Sequence, residues 1–546
     1  MHVLILGAYG LFGWRLAQRL AAEPRLRLTL AGRSAPASQA AAARLRAIAV
    51  CEVAGHALDA ATPDLADALR RLQVDVLIHA AGPFQGQDYA VARACLTARC
   101  HYIDLADSTD FVLGIGTLAA EAERAGRLVC SGASSVPALS CAAVTQLLPA
   151  GQRLESIDIG IVPGNRTPRG LATVAAVLSY CGRPLPRANG EADAEVGWLT
   201  SWSYRYDAPV GRRLLSPCDV PDRLLFPRHF ADAPRVRFGA GLELRILHRA
   251  LNGMAWLAHR GVVRDWVRYA PALRWLAEWL RPLGSDCGAM HVAIVCADHA
   301  GTRTRHEWQL IATHGDGPFV PTLAAAALVR RLLDGTLAAH GARPCLDLLT
   351  LQDFERAGAG LAISTRFSKA PAAPPIYCAL MGAAFARLAA PVQRFHRLQG
   401  KVVLTGEVDI EGPRHFATKL LAWALGAPRR SQHGPLRFEL DADAEREIWT
   451  RHFPTRTMRS VLCKTSRGLT EKLGMATLTF ELRERDGILS MHLQRFHVLG
   501  LPMPRWLMPT VRAEESGQGD RFVFDVEAGM PLLGRVSRYR GFLMVP

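Results

Sequence analysis

The sequence predicts an α/β protein that opens with a doubly wound parallel sheet and continues with an α+β domain and a mainly antiparallel β domain. Two observations predict the first sheet: short apolar runs alternate with helical patterns over residues 1–133, and glycine-rich or polar turns follow those runs. In residues 373–546 the apolar pattern repeats every second residue, which is typical of antiparallel strands. A chain of 546 residues has room for three domains, and we assign them to residues 1–133, 134–372 and 373–546.

The first predicted element is a strand, a glycine loop and a helix at the N-terminus. The apolar run His2–Leu6 leads into the loop, and a helical pattern covers Leu11–Ala22. In such a loop the first glycine allows a tight turn, the second lets the backbone approach a pyrophosphate, and the third lets the helix pack on the strand. Glycines with this spacing also occur in ordinary turns. The context favours a Rossmann-type dinucleotide site formed by Gly7, Tyr9, Gly10, Leu11, Phe12 and Gly13.

The second predicted strand, Arg25–Ala31, ends in Gly32-Arg33-Ser34. Enzymes selective for NAD usually carry an Asp or Glu near this point, where it binds the ribose 2′-hydroxyl. This chain instead offers the guanidinium of Arg33 and the hydroxyl of Ser34, which suit a 2′-phosphate. We therefore predict NADP(H) as the cofactor; the alternative is that Arg33 is a solvated loop residue.

The following elements alternate in the same way. The predicted helices are Ala35–Ala47, Asp64–Leu72 and Asp88–Ala98, and the predicted strands are Val50–Leu58, Asp75–Ala81, His101–Leu105 and Arg127–Cys130. Because parallel strands end at one edge, the loops at 7–13, 32–34, 80–84, 104–107 and 131–137 are expected there together. Asp59, at the end of the third strand, is assigned to the cofactor site as well.

Four motifs in this order resemble the cofactor domain of saccharopine dehydrogenase-like NADP-dependent oxidoreductases. They are GAYGLFG at 7–13, AGR at 31–33, AAGPF at 80–84 and HYIDL at 101–105. The resemblance implies that the NADP site is lined by the 7–13 loop, Arg33 and the turn formed by Ala80, Ala81, Gly82, Pro83 and Phe84. From about residue 374 the chain resembles an uncharacterised domain appended to some bacterial members.

Candidate acids and bases lie after the fifth predicted strand. Strand alternation places Tyr102 and Asp104 on the same side, and we assign them as the catalytic residues. Asp107 and His101 are further candidates at this edge, and Ser134 and Ser135 can hydrogen-bond a substrate. The alternative is structural: Asp104 caps the following turn, and His101 only begins a strand.

One catalytic mechanism is excluded by the position of the first lysine, Lys369. A short-chain dehydrogenase needs a Tyr-x-x-x-Lys pair in its nucleotide-binding domain, whereas Tyr89 is followed four residues later by Arg93. A Schiff-base lysine in the first two domains is excluded for the same reason.

The segment Leu242–Leu283 stands out in the second domain. Five arginines fall close to one helical stripe, and a Trp-rich helical pattern follows Pro271. Such a pair can lie on an anionic membrane. The alternative is a helical pair packed on the sheet with solvated arginines. Elsewhere in this domain we expect helices at Ala138–Leu148 and Leu323–Leu333 and a strand at Ser156–Val162.

An Ala- and Pro-rich stretch, Ser364–Pro375, predicts a linker to the third domain. Beyond it we expect strands at Val402–Ile410, Phe522–Val526 and Val536–Met544, and a hairpin whose turn is Asp486-Gly487. A curved sheet of this kind can hold a lipid in its apolar face, but the same alternation is found in any β core.

Composition excludes several classes of protein. The net charge of +16 comes almost entirely from scattered arginines, without the basic and aromatic runs of a nucleic-acid tail. The twelve cysteines form no Cys-x-x-Cys pair and no zinc-ligand spacing, so we expect no metal and a reducing, cytoplasmic location. No signal peptide or membrane span is expected.

Two functions stay open at this stage. The first is an NADP(H)-dependent oxidoreductase that reduces or forms a C=O, C=N or C=C bond in an apolar or amphipathic, lipid-like small molecule. The second is a non-catalytic nucleotide-binding protein associated with a lipid surface or a partner protein. A weak peripheral membrane contact and a homodimer are open in either case.

Overall fold

The computed structural model describes residues 1–186, 195–337, 340–413, 415–416, 418–419, 422, 428, 430–498, 500–531 and 533–545. The chain divides into two compact units, Met1–Pro371 and Ala372–Pro546. Two seven-stranded sheets belong to the first unit, and a closed antiparallel sheet belongs to the second.

The first unit alternates strands and helices. Its strands are β1 (His2–Leu6), β2 (Arg27–Gly32), β3 (Glu52–Ala57), β4 (Val76–His79), β5 (His101–Asp104), β6 (Leu128–Ser131), β7 (Arg153–Val162), β8 (Trp202–Arg205), β9 (Arg212–Pro217), β10 (Arg235–Ala240), β11 (Gly288–Ala297), β12 (Arg303–Ala312), β13 (Gly341–Pro344) and β14 (Ile363–Pro371). Its helices are α1 (Leu11–Leu20), α2 (Ala35–Arg46), α3 (Leu65–Leu72), α4 (Ala90–Ala98), α5 (Thr109–Gly114), α6 (Ala119–Ala125), α7 (Ser140–Leu147), α8 (Leu171–Ser179), α9 (Asp222–His229), α10 (Arg245–His259), α11 (Ala270–Trp279), α12 (Leu323–Leu333) and α13 (Leu351–Ala357).

Seven parallel strands form the first sheet, in the order β13-β6-β5-β4-β1-β2-β3. All five residues of β1 are buried, and Val3 lies opposite Leu28 of β2 on one side and Val76 of β4 on the other. Strands covered on both faces are continuous apolar runs, which explains the pattern in the sequence. The prediction of a doubly wound parallel sheet is confirmed.

The edge strand β13 is not predicted by the sequence. It pairs in parallel with β6, with Gly341 opposite Leu128. Its four residues include a glycine and a proline, both of which are depleted in strands, so no local pattern marks it. Residues far along the chain thus complete the nucleotide-binding sheet.

The second sheet is mixed, in the order β14-β12-β11-β7-β10-β9-β8. β10 runs parallel to β7, and the other pairs are antiparallel. One face contributes Ile157, Val292 and Trp308 to the main hydrophobic core of the unit. An α+β domain was the expectation for this region, and the mixed sheet with its helices agrees with it.

The predicted linker Ser364–Pro375 is wrong for its first eight residues, 364–371. β14 covers Ile363–Pro371 and pairs antiparallel with β12, with Phe367 opposite Trp308. Nearly all its side chains are exposed, so no apolar alternation shows in the sequence. Backbone hydrogen bonds to β12 define this edge strand.

The Arg- and Trp-rich segment forms two helices, α10 and α11, with short 3₁₀ helices at Val267–Tyr269 and Arg281–Leu283. Only His248, Leu251 and Ala255 of α10 and only Ala270 of α11 are buried. Met254 and Leu273 pack against the core, whereas the tryptophans Trp256, Trp275 and Trp279 are exposed. Among the described residues no helix has both the length and the apolar character needed to cross a membrane.

The elements of the second unit whose bounds the structure describes include eleven antiparallel strands and two short α-helices. The strands are β15 (Gly400–Glu411), β16 (Gln432–Ala442), β17 (Arg446–Phe453), β18 (Arg456–Thr465), β19 (Gly468–Leu473), β20 (Ala476–Arg485), β21 (Ile488–Val498), β22 (Leu501–Pro502), β23 (Thr510–Gln518), β24 (Arg521–Met530) and β25 (Gly534–Met544). The helices are α14 (Ile376–Met381) and α15 (Ala390–Arg397).

Pairing between β20 and β21 closes ten of these strands into a ring, and β22 adds to β21. The predicted hairpin is confirmed: Asp486 and Gly487 both have positive φ, of 53° and 79°, as a two-residue hairpin turn requires. The antiparallel β prediction for this domain is confirmed.

Side chains from α14 and α15 pack inside the closed sheet. Phe395 stacks on Phe522 with ring centroids 4.0 Å apart, and Tyr377 stacks on His396 at 3.6 Å. His396 also contacts the Glu515 carboxylate, Nε2 to oxygen, at 2.6 Å. The apolar face of the curved sheet is therefore occupied by the protein's own helices, which favours a β core over a lipid site.

Candidate cofactor site

The strand order creates a cleft beside β1. β1 lies between β2 and β4. The loops that follow β1 and β4 therefore leave the same edge of the sheet and lead to opposite faces of it. Ligands of open α/β sheets bind at such a switch point, beyond the carboxyl ends of the strands. The predicted loops 7–13 and 80–84 are the two that meet here.

Two glycines of the first loop are required by close packing. Gly7 has a φ of +84°, and a Cβ there would lie 2.9 Å from the Ala81 nitrogen. A Cβ at Gly13 would lie 2.3 Å from the Gly7 carbonyl oxygen, so only glycine lets α1 approach the loop. These contacts hold the glycine loop against the 80–84 turn.

Gly10 differs from the other two. Its φ is −74°, an ordinary value, and a Cβ there would meet only the Gly7 oxygen, at 3.1 Å, among the described residues. This single contact is tight but longer than the backbone contacts at Gly7 and Gly13, so the protein itself restricts this position less than a ligand lying close to the loop would. This is the position at which a pyrophosphate approaches the backbone in dinucleotide sites.

Helix α1 begins directly after Gly10. Gly10 is its N-cap, and no side chain caps the helix. The first-turn amides of Leu11, Phe12 and Gly13 have no partner within the helix, and the helix dipole adds positive potential at this end. The loop thus presents donors to an anion.

Tyr9 and Ser34 connect the glycine loop to the end of β2. The Tyr9 ring lies over Gly32, where a Cβ would come within 2.4 Å of a ring carbon. Its hydroxyl accepts a hydrogen bond of 3.3 Å from the Ser34 backbone nitrogen. The Ser34 side chain caps α2 by accepting from Ala37 N at 3.3 Å, which leaves its O–H free to donate.

Arg33 is exposed beside this helix start. No hydrogen bond or ion pair ties its guanidinium to the residues that the structure describes. A free guanidinium next to the N-terminus of α2 is a suitable partner for a phosphate. Asp59 also lies at this edge, after β3, where its Oδ1 accepts from Ala61 N at 3.1 Å.

The 80–84 turn is held from within the fold. Ala80 N donates to Leu6 O at 2.8 Å, and the Gln87 side chain donates to the carbonyls of Ala81 and Pro83 at 3.1 and 2.6 Å. Phe84 is buried, whereas Gly82 and Pro83 are exposed toward the cleft edge. Gln87, which the sequence did not single out, is the positioning residue of this turn.

Tyr102 and Asp104 share one side of β5, as alternation predicts, but both are buried. Asp104 Oδ1 accepts hydrogen bonds from Gly132 N, Ala106 N and the Ser131 hydroxyl at 2.8, 3.0 and 3.0 Å. Burial raises the pKa of Asp104 from 3.8 to about 6. The Asp104 carboxylate thus joins the loops after β5 and β6.

His79 and His101 occupy opposite ends of neighbouring strands. His79 ends β4, and its Nδ1 lies 3.1 Å from the Tyr102 hydroxyl; burial lowers the pKa of His79 to about 4. His101 begins β5, at the edge away from the cleft, and its Nδ1 accepts from Leu128 N at 3.0 Å. The prediction that His101 lies at the ligand edge is therefore wrong.

An acid from the second sheet's side reaches the same edge. Asp219 accepts a hydrogen bond of 2.7 Å from the Thr109 hydroxyl at the start of α5. It is partly exposed, and burial raises its pKa. Because Asp219 and Thr109 lie 110 residues apart in the chain, no local sequence pattern indicates this pair.

The protein families that match the chain agree with its division into two compact units. A family described as the saccharopine dehydrogenase NADP binding domain matches residues 3–130. A second, described as a domain of unknown function (DUF4166), matches residues 388–543. No curated protein sequence matches the chain.

Several solved structures are similar to part of the chain. An apo saccharopine dehydrogenase (L-Glu forming) from Saccharomyces cerevisiae has 15% identity and a TM-score of 0.48, with 67% of this chain and 99% of that chain covered. An amine dehydrogenase from Mycobacterium smegmatis has 10% identity and a TM-score of 0.33, with 64% and 95% covered. A short-chain type dehydrogenase/reductase from Mycobacterium marinum has 17% identity and a TM-score of 0.21, with 24% and 72% covered.

At these identities and TM-scores the likeness carries no information on substrate. The family matches, the parallel sheet and the glycine loop agree with one another. The chain therefore joins an N-terminal domain that matches the saccharopine dehydrogenase NADP binding domain family to a C-terminal domain that matches DUF4166.

Proposed function

We propose that this protein is an NADP(H)-dependent oxidoreductase that transfers a hydride to a C=O, C=N or C=C bond of an apolar or amphipathic small molecule, or forms such a bond in the reverse direction. The observation that carries the proposal is the meeting of the glycine loop and the 80–84 turn at the switch point beside β1. Bound NADP(H) supplies or accepts the hydride, and the protein supplies position and a proton.

NADP selectivity rests on the end of β2. Arg33 and Ser34 stand where NAD-selective proteins carry an acid, and the start of α2 adds positive potential. The proposed cofactor residues are the 7–13 loop, Arg33, Ser34, Asp59 and the 80–84 turn.

We propose the proton donor by comparing the solvent accessibility of the candidate acidic side chains. The burial of Tyr102 and Asp104 supports a positioning role for this pair, which joins β4, β5 and β6, over direct contact with a substrate. Asp219 fits a proton donor better, because it is partly exposed at the same edge and its raised pKa keeps a proton available closer to neutral pH.

An apolar wall beside the nucleotide loop supports the proposed substrate class. α8, with the sequence LATVAAVLS, buries only Ala176 and Leu178. It begins next to the loop: a Cβ placed at Gly170 would lie 4.0 Å from a Leu11 side-chain carbon. Half-exposed Leu and Val side chains at this place suit an apolar substrate over a polycarboxylate amino acid.

Isotope transfer from NADPH tests this function. The purified full-length protein is incubated with NADPH deuterated at C4 of the nicotinamide and with pools of lipid ketones, enals, imines and keto acids. We expect deuterium in a reduced apolar product, and a large loss of transfer in Asp219→Asn with NADPH affinity unchanged. Tight NADPH binding without transfer to any pool would refute the enzyme and favour the second candidate.

The second candidate is a nucleotide-binding protein that sits on a lipid surface. The observation that favours it is the exposure of Trp275 and Trp279, which are 60% and 70% exposed on α11 with ring centroids 5.2 Å apart. Arg274 and Arg281 are exposed on the same segment. Exposed tryptophans flanked by arginines are typical of interfacial helices.

Our proposals on the cellular location and the partners of the protein rest on its composition. All twelve cysteines are free thiols, which supports a reducing compartment such as the cytoplasm. We propose a small-molecule substrate, no nucleic-acid partner and at most a weak peripheral membrane contact, and the homodimer remains an open arrangement.

A further inference from the structure

Three metal-binding side chain types come together at the edge of the first sheet where its strands end. Cys141 lies on α7, His229 ends α9, and Asp347 follows β13. One potential ligand atom from each lies within 4.8 Å of the other two. More than 80 residues separate each of these positions from the next, so the sequence shows none of the spacing that marks a metal site.

Asp347 lies between the other two groups. The Cys141 Sγ is 3.6 Å from Asp347 Oδ1, and the His229 Nε2 is 3.0 Å from Asp347 Oδ2. A nucleophilic triad needs the histidine between the thiol and the acid, because the histidine must take the thiol proton. The order observed here does not fit that chemistry.

The distances fit shared coordination of one ion. Ligand bonds of about 2.0–2.3 Å in a tetrahedral zinc site place the ligand atoms roughly 3.2–3.8 Å from one another. The two measured separations, which are to different oxygens of Asp347, lie at or near this range, and the cysteine and histidine ligand atoms lie within 4.8 Å of each other. Sulfur, imidazole nitrogen and carboxylate oxygen together favour a borderline ion such as Zn²⁺ over Mg²⁺ or Ca²⁺.

The cluster is open on one side. Cys141 is buried, whereas the side chains of His229 and Asp347 are 25% and 51% exposed. An ion held by three protein ligands keeps a fourth position, which water can reach here. We propose that Cys141, His229 and Asp347 form a Zn²⁺ site with one open coordination position. None of these three residues belongs to the proposed NADP site, and the proposal does not rest on that site.

Cobalt spectroscopy tests the site on the full-length protein. After chelator treatment we expect one equivalent of Co²⁺ to bind and to produce the thiolate-to-cobalt charge-transfer band in the near ultraviolet, and one equivalent of Zn²⁺ to displace it. Cys141→Ser should remove the band. Cys181→Ser, which changes an equally buried thiol outside the cluster, should leave it unchanged.

His229→Gln and Asp347→Asn alter partly exposed side chains and should leave the fold intact. Each should weaken Zn²⁺ binding by more than the roughly 10–100-fold that loss of an outer-shell partner costs. Zn²⁺ should raise the Tm of the wild type and have little effect on either variant. Less than half an equivalent of bound metal, a band that survives Cys141→Ser, or equal affinity in the Asp347 variant would overturn the proposal.

Discussion

The backbone of Gly7 packs so tightly against Ala81 that a Cβ on Gly7 would lie 2.9 Å from the Ala81 nitrogen. This contact joins the loops after β1 and β4, which form the two sides of the cofactor cleft. The Gln87 side chain then fixes the second loop through the carbonyls of Ala81 and Pro83. The cleft is therefore preorganised by one backbone contact and by the Gln87 side chain.

Gly10→Val should abolish NADPH binding while the protein stays folded. The φ of −74° suits any residue, and the valine side chain would occupy the space of the pyrophosphate. Gly13→Ala is the contrasting variant, since its Cβ would lie 2.3 Å from the Gly7 oxygen and should lower the Tm. Calorimetric titration with NADPH and thermal unfolding check both. NADPH affinity within about threefold of wild type in Gly10→Val would show that the loop is only a turn.

Gly32→Ala should destabilise the protein through Tyr9. The new methyl group would come within 2.4 Å of the Tyr9 ring, and the ring must move. Because the ring is the far end of a side chain that is 42% exposed, it can turn aside, and we expect a cost below the roughly 1–3 kcal/mol typical of overpacking in a core. In a Tyr9→Ala background the same change should cost much less, which a double-mutant cycle of urea unfolding measures. Equal costs in the two backgrounds would show that the Tyr9 ring is not held over Gly32.

Asp104→Asn should gain stability relative to the wild type as the pH rises. Burial raises the pKa of Asp104 from 3.8 to about 6, so the folded state holds this proton more tightly than the unfolded state. The stability gained from protonation is complete below pH 3.8 and is lost as the pH rises through about 6. The difference between the pKa of Asp104 in the folded and unfolded states corresponds to roughly 3 kcal/mol of unfolding free energy.

Urea unfolding of the wild type and Asp104→Asn at about pH 4 and pH 8 measures this difference. Asp104→Ala serves as the control, since it leaves three donors without their acceptor and should be destabilised at both pH values. A free-energy difference between Asp104→Asn and the wild type that does not change with pH would contradict the raised pKa.

Vesicle binding separates the two candidate functions. If α10 and α11 dock on lipid, anionic vesicles should sediment the protein at low salt, with about 1 kcal/mol from each basic residue near the surface, and high salt should release it. Changing Arg260, Arg264 and Arg268 to Gln should abolish that binding. We expect weak binding at physiological salt. Strong, salt-sensitive sedimentation that the triple variant loses would favour the lipid-surface protein.

The double variant Trp275→Ala, Trp279→Ala tests the proposed enzymatic function through the same segment of the chain. α11 packs near α8, which starts beside the nucleotide loop, so loss of both indoles should impair turnover of an apolar substrate. NADPH affinity should not change, because neither tryptophan belongs to the cofactor loops. Unchanged kcat and KM would exclude these side chains from the substrate path.

The sequence predicts the nucleotide-binding fold well because its signals are local. Each of these signals is contained in a few neighbouring residues. Examples are the buried run His2–Leu6, the three glycines of the loop and the turn at Asp486-Gly487. The edge strands β13 and β14 escape prediction because backbone pairing with distant strands creates them.

The sequence predicts the candidate site only in part, because contacts between distant segments leave no local pattern. Alternation correctly places Tyr102 and Asp104 on one side of β5 but cannot show that both are buried. Contacts such as Asp219 with Thr109 or Asp347 with His229 join segments more than 100 residues apart, where no pattern connects them.

The affinity ratio between NADPH and NADH is the most direct test of the account, measured by fluorescence titration of the wild type, Arg33→Asp and Arg71→Asp. A guanidinium–phosphate contact is worth roughly 1.5–3 kcal/mol, so the wild type should prefer NADPH by about tenfold to more than a hundredfold. Arg33→Asp should reverse the preference. Arg71→Asp, the same charge change at an exposed position of α3, should preserve it. Equal affinity of the wild type for NADH and NADPH, or an unchanged ratio in Arg33→Asp, would contradict the assignment of this site to NADP.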